Sequence, residues 1–418
     1  MSRSSKRARV SQMPFEQAVL NPPIHPDKHT LLTAWAKDQG VSIHAAAARV
    51  LPGRGAGLVA TAPISSGSSI VSVPSPALFK PDANVLKRHG LNRTASPQAK
   101  LAFSLVVARA EERLVEWSAT WPTMEEFEAS MPMFWPERVL VHLPASVSAP
   151  LARQRSDYAR DWRVVRKAVE GLGLGERRFG YAWCIANSRS FSWIGQMVLC
   201  PWVDYMNHAA KGNAEVIVGE GGFEVKAGGD IAESEELTFA YGAHANDKLL
   251  VHYGFVPEST EQHANPDDEM RMDHMILPHL SEEVKSQLQD LGYLGSYALL
   301  PVDNPCKGDD YHAYYCEDQV WEPCFKTQVA VRAAVLSCNE WEYFATSGED
   351  LGKDKCQAVL DWLQPHIDRA WREAQDHLMR YHPEKDTQNA VALALLNTRW
   401  TQICLAFGSV RRPPDGEA

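Results

Sequence analysis

The chain has 418 residues, 45% of them apolar and 22% charged, a length that favours more than one domain with a sizeable buried core. Its 13 Trp, 13 Phe and 12 Tyr, set against 26 Gly and 26 Pro, exclude collagen-like, coiled-coil and wholly disordered classes. A formal net charge of -10 argues against a general binder of nucleic-acid phosphate and leaves room for a basic protein partner.

The eight cysteines contain no CxxC pair, so neither a zinc ribbon nor a disulfide framework is expected and the thiols read as reduced and mostly buried. No run of about 18 consecutive apolar residues and no apolar leader is seen. A protein of the nucleus or cytoplasm, without membrane contact, is expected.

Residues 1–27 carry Arg3, Lys6, Arg7 and Arg9 and read as a disordered basic arm. The run Lys6-Arg7-Ala8-Arg9-Val10 is either a nuclear import signal or an ordinary solvated tail. From His29, the spacing of Leu31, Leu32, Trp35 and Ala36 predicts a short helix closed at Gly40. Two β-rich runs follow, 58–60 and 70–73, with Pro63, Ser65, Ser66 and Gly67 as turn material. Residues 81–181 change to helical periodicity at 101–117 and 159–173, around a stretch rich in Pro, Met and Trp at 121–136. Short strand candidates return in MVLCPWVDYM, AEVIVGEGGFEVKAG and EELTFAYG. Beyond Pro257 helices are expected at 327–343, 353–363, 366–381 and 387–407, with Pro365 separating the middle two.

Gly53-Arg54-Gly55-Ala56-Gly57 suggests a dinucleotide loop, but Leu58 stands where the last glycine of GxGxxG is needed, β-type residues follow, and 71–77 holds no acid. Either a plain hairpin or a glycine turn that lets backbone approach a ligand remains. Asp204 and His208 have no third partner at metal-ligand spacing, so no metal site is expected. No GxSxG, HExxH or P-loop competes for the chemistry.

Four blocks then occur in order: the GRGAGLVA start, Ser188-Arg189-Ser190-Phe191, Asp204 to His208 in a DxxNH pattern, and an IxxxEELTFxYG block ending at Tyr241-Gly242, followed by Tyr253-Gly254-Phe255. This series resembles the SET-domain protein methyltransferases, in the branch typified by the Rubisco large-subunit methyltransferase. The resemblance covers residues 28–260 and implies an α+β fold. A β-rich SET core (28–80 and 182–260) is interrupted by a helical insertion (81–181) and followed by an all-helical substrate-binding domain (261–418). One departure is an extra residue in GRGAGL relative to the usual GRGL.

The resemblance further implies transfer of a methyl group from S-adenosylmethionine to a lysine of a protein substrate. It assigns Arg54, Gly55, Gly57 and Leu58 to the methionine part of the cofactor, Arg189 to its carboxylate, Asn207 and His208 to its amino and adenine groups, and Phe255 to packing on adenine. Tyr241 takes the place of the catalytic tyrosine, and Asp204 supports the crossing loop. An aromatic wall at Phe191 and Tyr253 suits a lysine alkyl stem. Histidine methylation and a non-catalytic SET-scaffold binding module are the alternatives.

Asp309, Asp310, Tyr311 and Tyr314 belong to a segment, 309–318, that combines four acids with three tyrosines. Its composition suits the border of a groove for a basic target segment. A monomer with no direct nucleic-acid partner is expected.

Overall fold

The computed structural model describes residues 27–258, 265–302, 321–353, 355–380 and 387–411. The basic arm up to residue 26 and the acidic, tyrosine-rich segment 309–318 lie outside the described residues.

Helix α1 (Lys28–Asp38) opens the described chain, capped by the Asp27 carboxylate, which accepts from the amides of His29 and Thr30. Strand β1 (Ser42–Ile43) leads to a hairpin of β2 (Ala46–Leu51) and β3 (Gly55–Ala60), paired from Ala46↔Ala60 to Leu51↔Gly55. The glycine turn is thus a hairpin tip. β2 escaped the sequence reading because Ala-Ala-Ala carries no β propensity; pairing with β3 supplies what propensity does not.

β4 (Ser69–Pro74) completes the first part of the core. Seven helices follow: α2 (Ala83–Arg88), α3 (Pro97–Ala110), α4 (Val115–Ser118), α5 (Met124–Ser130), α6 (Glu137–Leu140), α7 (Ala145–Gly171) and α8 (Glu176–Arg189). The expected helix at 101–117 is two, because Glu112 adopts φ +56 and turns the chain between α3 and α4. The one at 159–173 begins much earlier, at Ala145, with Pro150 accommodated inside it.

β5 (Ser190–Trp193) and β6 (Gln196–Leu199) form a hairpin, then come β7 (Asn207–His208), the hairpin β8 (Ala214–Gly219) with β9 (Gly222–Ala227), and β10 (Glu236–Phe239). Two four-stranded sheets result, in the orders β1-β4-β9-β8 and β2-β3-β10-β7. The pairing of β7 with β10 is parallel, Thr238 opposite Asn207 and Phe239 opposite His208.

α9 (Asn246–Tyr253) leads into the C-terminal part. That part is helical apart from a small sheet of β11 (Met270–Arg271), β12 (Ala298–Pro301) and β13 (Trp321–Pro323), whose two- to four-residue strands are too short to show a period in sequence. Its helices are α10 (Asp273–Ile276), α11 (Glu282–Asp290), α12 (Phe325–Val335), α13 (Cys338–Ser347), α14 (Cys356–Arg380) and α15 (Ala390–Val410).

Two helical expectations change here. The run 327–343 breaks at Ser337, whose side chain and that of Glu340 form a capping box that starts α13. Conversely, Pro365 does not separate two helices: α14 runs through it. The buried stripe Val359, Leu363, Ile367, Ala370 and Ala374 continues unbroken past the proline and packs in one core with α15. Burial of that stripe outweighs the local cost of about 3 kcal/mol for an interior proline. α15 has the length and apolarity of a membrane-crossing helix, yet Arg399 and Gln402 lie within it and its buried residues pack in the same core.

There are two apolar cores. One spans Leu32 to Leu237 and joins the sheets to the inserted helices α3, α7 and α8. The other gathers α12 to α15 but also takes Trp135, Val139, Val147 and Leu151 from the insertion and Leu250 and Val251 from α9. Among the described cysteines, Cys184, Cys200 and Cys356 are buried and unbridged, Cys324 and Cys404 half-buried, and Cys338 exposed.

Because α14 holds its proline by packing alone, Pro365→Ala should restore a backbone amide donor and stabilise the protein by about 2–2.5 kcal/mol, the local cost of about 3 less the roughly 0.4–1 of entropy a proline removes from the unfolded chain. Urea denaturation measures this. An unchanged or lower midpoint would mean that the α14–α15 interface needs the proline's bend.

Candidate functional site

The parallel β7–β10 pair puts Asn207 and His208 beside the strand that delivers Tyr241. His208 Nδ1 accepts from the Tyr241 amide at 3.2 Å. That bond makes Nδ1 the unprotonated ring nitrogen, so Nε2 carries the proton of a neutral imidazole. Nε2 is buried and has no partner among the described residues.

Asn207 donates from Nδ2 to Glu236 Oε1 at 2.9 Å, which leaves its Oδ1 free of that contact. Glu236 also pairs with Arg54 at 2.9 Å, and the Arg54 guanidinium donates to the carbonyl of His208 at 3.1 Å. One carboxylate thus sets the direction of both Asn207 and Arg54. The approach is close enough to require a glycine: a Cβ on Gly57 would lie 2.6 Å from the Leu51 side chain and 2.8 Å from Asn207 Nδ2.

α8 ends at Arg189, whose Nη1 donates to the Asp204 carbonyl at 2.7 Å and lies 3.6 Å from its carboxylate. Asp204 is buried and accepts from Trp117 Nε1 at 3.0 Å. Burial raises its pKa, while the Arg189 charge and the Trp117 bond oppose that. Trp202, fully buried, stands at φ +70, a conformation rare for a bulky residue that survives here inside packed surroundings.

The Tyr241 hydroxyl donates to the carbonyl of Met206 at 2.8 Å, and burial pushes its pKa up to about 12. The ring sits 5.1 Å from both Phe239 and Tyr253 and 6.5 Å, edge-on, from Phe255. Gly254, at φ +75, closes α9 in the left-handed conformation and turns Phe255 back to within 5.9 Å of the His208 ring.

Two cavities meet at Tyr241. The larger, about 710 Å³, has Arg54, Arg189, Asn207, His208 and Phe255 in its wall, together with Pro257, Asn265 and Thr398. The smaller, about 170 Å³, is lined by Ser190, Phe191, Ser192, Met206 and Phe239. Both share Ser188, Arg189, Asp204, Tyr241 and Tyr253. Phe191 stacks on Phe239 at 5.8 Å with 20° between the rings.

The structure therefore gathers Arg54, Arg189, Asn207, His208, Tyr241, Tyr253 and Phe255 around one cavity and Phe191 around its neighbour. Gly55, Gly57 and Leu58 do not enter either wall: Leu58 is wholly buried in the first core and Gly57 packs behind Asn207. From the hairpin tip it is Pro52, Gly53 and Arg54 that reach the cavity. Sequence reasoning missed Phe239, Met206 and Thr398. The first two are adjacent to motif residues and could have been found by strand alternation and turn geometry; Thr398, on a helix distant in sequence, gives no local signal.

Two desolvated imidazoles, the buried His208 and the half-buried His252, predict the pH response. Burial lowers the pKa of both His208 and His252 to about 4. Between that value and the unfolded value near 6.5, the unfolded chain binds protons that the native one refuses. Stability is then fully present above about pH 6.5 and falls as pH drops toward 4, by up to about 1.4 kcal/mol per unit for each histidine. His252→Gln should flatten this slope in urea denaturation at pH 7, 6, 5 and 4.5, and an unaltered slope would remove His252 from the explanation.

Residues 55–242 match the SET domain family model. The ribosomal lysine N-methyltransferase set11 of Schizosaccharomyces pombe is 24% identical over 247 residues, 57% of this chain and 56% of that protein. The ribosomal lysine N-methyltransferase 2 of Saccharomyces cerevisiae is 26% identical, over 44% of this chain and 48% of its own length. The chain thus spans about half the length of these curated relatives. Among solved structures, Rubisco LSMT bound to sinefungin and monomethyllysine aligns over 92% of both chains with a TM-score of 0.57 at 17% identity. The SET domain of LSMT bound to lysine and AdoHcy aligns over 93% of this chain with a TM-score of 0.56. These likenesses extend the agreement in fold from the matched segment to the helical C-terminal part. The α+β architecture, with its two-sheet core split by inserted helices, is that of these solved structures, and residues 55–242 carry the match to the SET domain family.

Proposed function

We propose that the protein is an S-adenosylmethionine-dependent protein-lysine N-methyltransferase. The observation that carries this reading is the meeting of a large polar cavity and a small aromatic one at the Tyr241 ring. A transferase needs two such chambers, one for the donor and one for the acceptor, opening on the same point.

The larger cavity fits the cofactor by its donor set. Arg189 and Arg54 are cations suited to a carboxylate, Asn207 Oδ1 is an acceptor suited to an ammonium group, and the unmatched His208 Nε2–H suits a ring nitrogen of adenine. Phe255 offers an apolar ring to the same base. When bound, S-adenosylmethionine supplies an electrophilic methyl group on a sulfonium sulfur.

The chain's own residues do the rest by orientation. Tyr241 stays protonated at neutral pH, because burial holds its pKa near 12, so it acts as an oriented hydroxyl and not as a base. Its proton is committed to the Met206 carbonyl, which fixes the ring and directs the oxygen lone pairs. A lysine of ordinary pKa gives up its proton at pH 7 at a cost of about 4.6 kcal/mol. Desolvation in the small chamber of Phe191, Phe239, Tyr241 and Tyr253, with the Arg189 cation in its wall, reduces that cost by disfavouring ammonium. The same rings match a lysine alkyl stem, which favours lysine over histidine as acceptor. The names of the yeast relatives, both ribosomal lysine N-methyltransferases, support a protein substrate.

The net charge of -10 and the acids of segment 309–318 support a basic target segment. We place the monomeric protein in the nucleus or cytoplasm, out of contact with membrane and nucleic acid, on the same composition.

Tyr241→Phe should keep cofactor affinity within severalfold and lower turnover at least a hundredfold, measured with labelled S-adenosylmethionine on a lysate lacking the endogenous enzyme. Wild-type turnover in that variant would remove Tyr241 from the mechanism, and label found on histidine would replace lysine as the acceptor. Asn207→Ala and Arg189→Ala should each weaken calorimetric binding of S-adenosylmethionine by about 1–3 kcal/mol. Unchanged affinity in both would move the cofactor elsewhere.

A further inference from the structure

A buried polar cluster beneath the last helix takes no part in the steps above. Arg399 of α15 is wholly buried, and its guanidinium is shared between Asp247 and Asp268, each at 2.7 Å. The same group donates to Gln402 Oε1 at 3.2 Å. Burying three ionised groups costs several kcal/mol each unless geometry and further hydrogen bonds return it, and apolar residues of the same volume usually do as well for stability. The cluster's reach suggests what it does instead.

Two arms run from it to the larger cavity. In one, Gln402 Nε2 donates at 2.7 Å to the carbonyl of Pro257, 145 residues away along the chain and part of the cavity wall with Phe255. In the other, Asn246 donates to Gln402 Oε1 at 2.9 Å and to Asp268 at 3.0 Å, while its Oδ1 accepts from Asn265 at 2.8 Å. Asn265 in turn donates at 2.9 Å to the carbonyl of His244, in the turn that follows Tyr241, and itself lines the cavity. Thr398, next to Arg399, also lines it.

We propose that Gln402, oriented by the Arg399–Asp247–Asp268 cluster, is a positioning residue for the cofactor cavity. It sets the Phe255–Pro257 wall directly and the 242–244 turn behind Tyr241 through Asn246 and Asn265. The last helix is thus a working part of the binding site. Its effect on S-adenosylmethionine rests on the proposed function above; its effect on the two backbone segments does not.

Gln402→Met keeps length and volume, removes the bond to Pro257 and takes from Asn246 one of its two side-chain acceptors, leaving Asp268. The control is Leu393→Ala, on the buried face of the same helix and outside the cluster, which lowers stability without touching either arm. Amide hydrogen exchange, melting temperature and calorimetric affinity for S-adenosylmethionine are measured on the full chain. Gln402→Met should speed exchange at least tenfold in 242–246 and 255–258 and raise the Kd five- to fiftyfold. Leu393→Ala, at an equal or greater loss of Tm, should hold the Kd within twofold. Unchanged exchange in both segments, or equal Kd changes in the two variants, overturns the proposal. If the wild type does not bind S-adenosylmethionine, the functional reading fails and the exchange data alone decide the positioning claim. Should Gln402→Met fail to fold, Arg399→Lys, which keeps the charge and loses the two-carboxylate fork, is judged by the same outcomes.

Discussion

The parallel pairing of two short strands, Asn207–His208 against Thr238–Phe239, is the constraint on which the site depends. Two residue pairs are a small ladder, and alone they would not hold. They hold because Met206 accepts the Tyr241 hydroxyl just before the pair and His208 accepts the Tyr241 amide just after it. The aromatic ring is pinned from both ends by the segment it crosses. Three polar groups of the larger cavity are then held by carboxylates beside that crossing: Asn207 and Arg54 by Glu236, Arg189 by Asp204.

Asp204 shows how the inserted helices contribute without entering the chemistry. Trp117, at the end of the short α4, donates to its carboxylate, so the insertion holds a charged group under the crossing loop. Removing that partner would strip a buried carboxylate of a direct hydrogen bond and push it toward protonation. A neutral Asp204 would in turn weaken its hold on Arg189. The insertion therefore acts on the cavity through this indole N–H as well as through Pro122 and Phe127 in its wall.

Much of this was legible in sequence wherever residues act locally. The motif blocks marked Arg189, Asn207, His208 and Tyr241 because each block is a contiguous turn or strand end, and a hairpin at Gly53–Gly57 was one of two readings its glycines left open. The reading failed where tertiary packing overrides local preference. Ala46–Ala48 became strand by pairing with β3, and Pro365 stayed inside a helix because five buried side chains on one face outweigh one lost amide bond. The assignment of Gly55, Gly57 and Leu58 to the cofactor came with the family resemblance and not from their own surroundings. Gly57 is bare because of the nearness of Asn207 and Leu51. Thr398, Arg399 and Gln402 were invisible because nothing within α15 distinguishes a helix that stabilises a core from one that shapes a distant wall.

The division of apolar residues between two cores bears on how the chain comes to be folded. The first core contains nothing beyond Leu237, so all its members are present before the C-terminal helices are synthesised. The second unites Trp135 and Val139 with residues as late as Val410, a separation of well over half the chain. On a ribosome, the inserted segment around Trp135 and the α9 residues Leu250 and Val251 must wait, apolar and uncovered, until α14 and α15 arrive. A chain stopped just after α9 would keep the first core and present that waiting surface permanently, as a sticky seam beside the site.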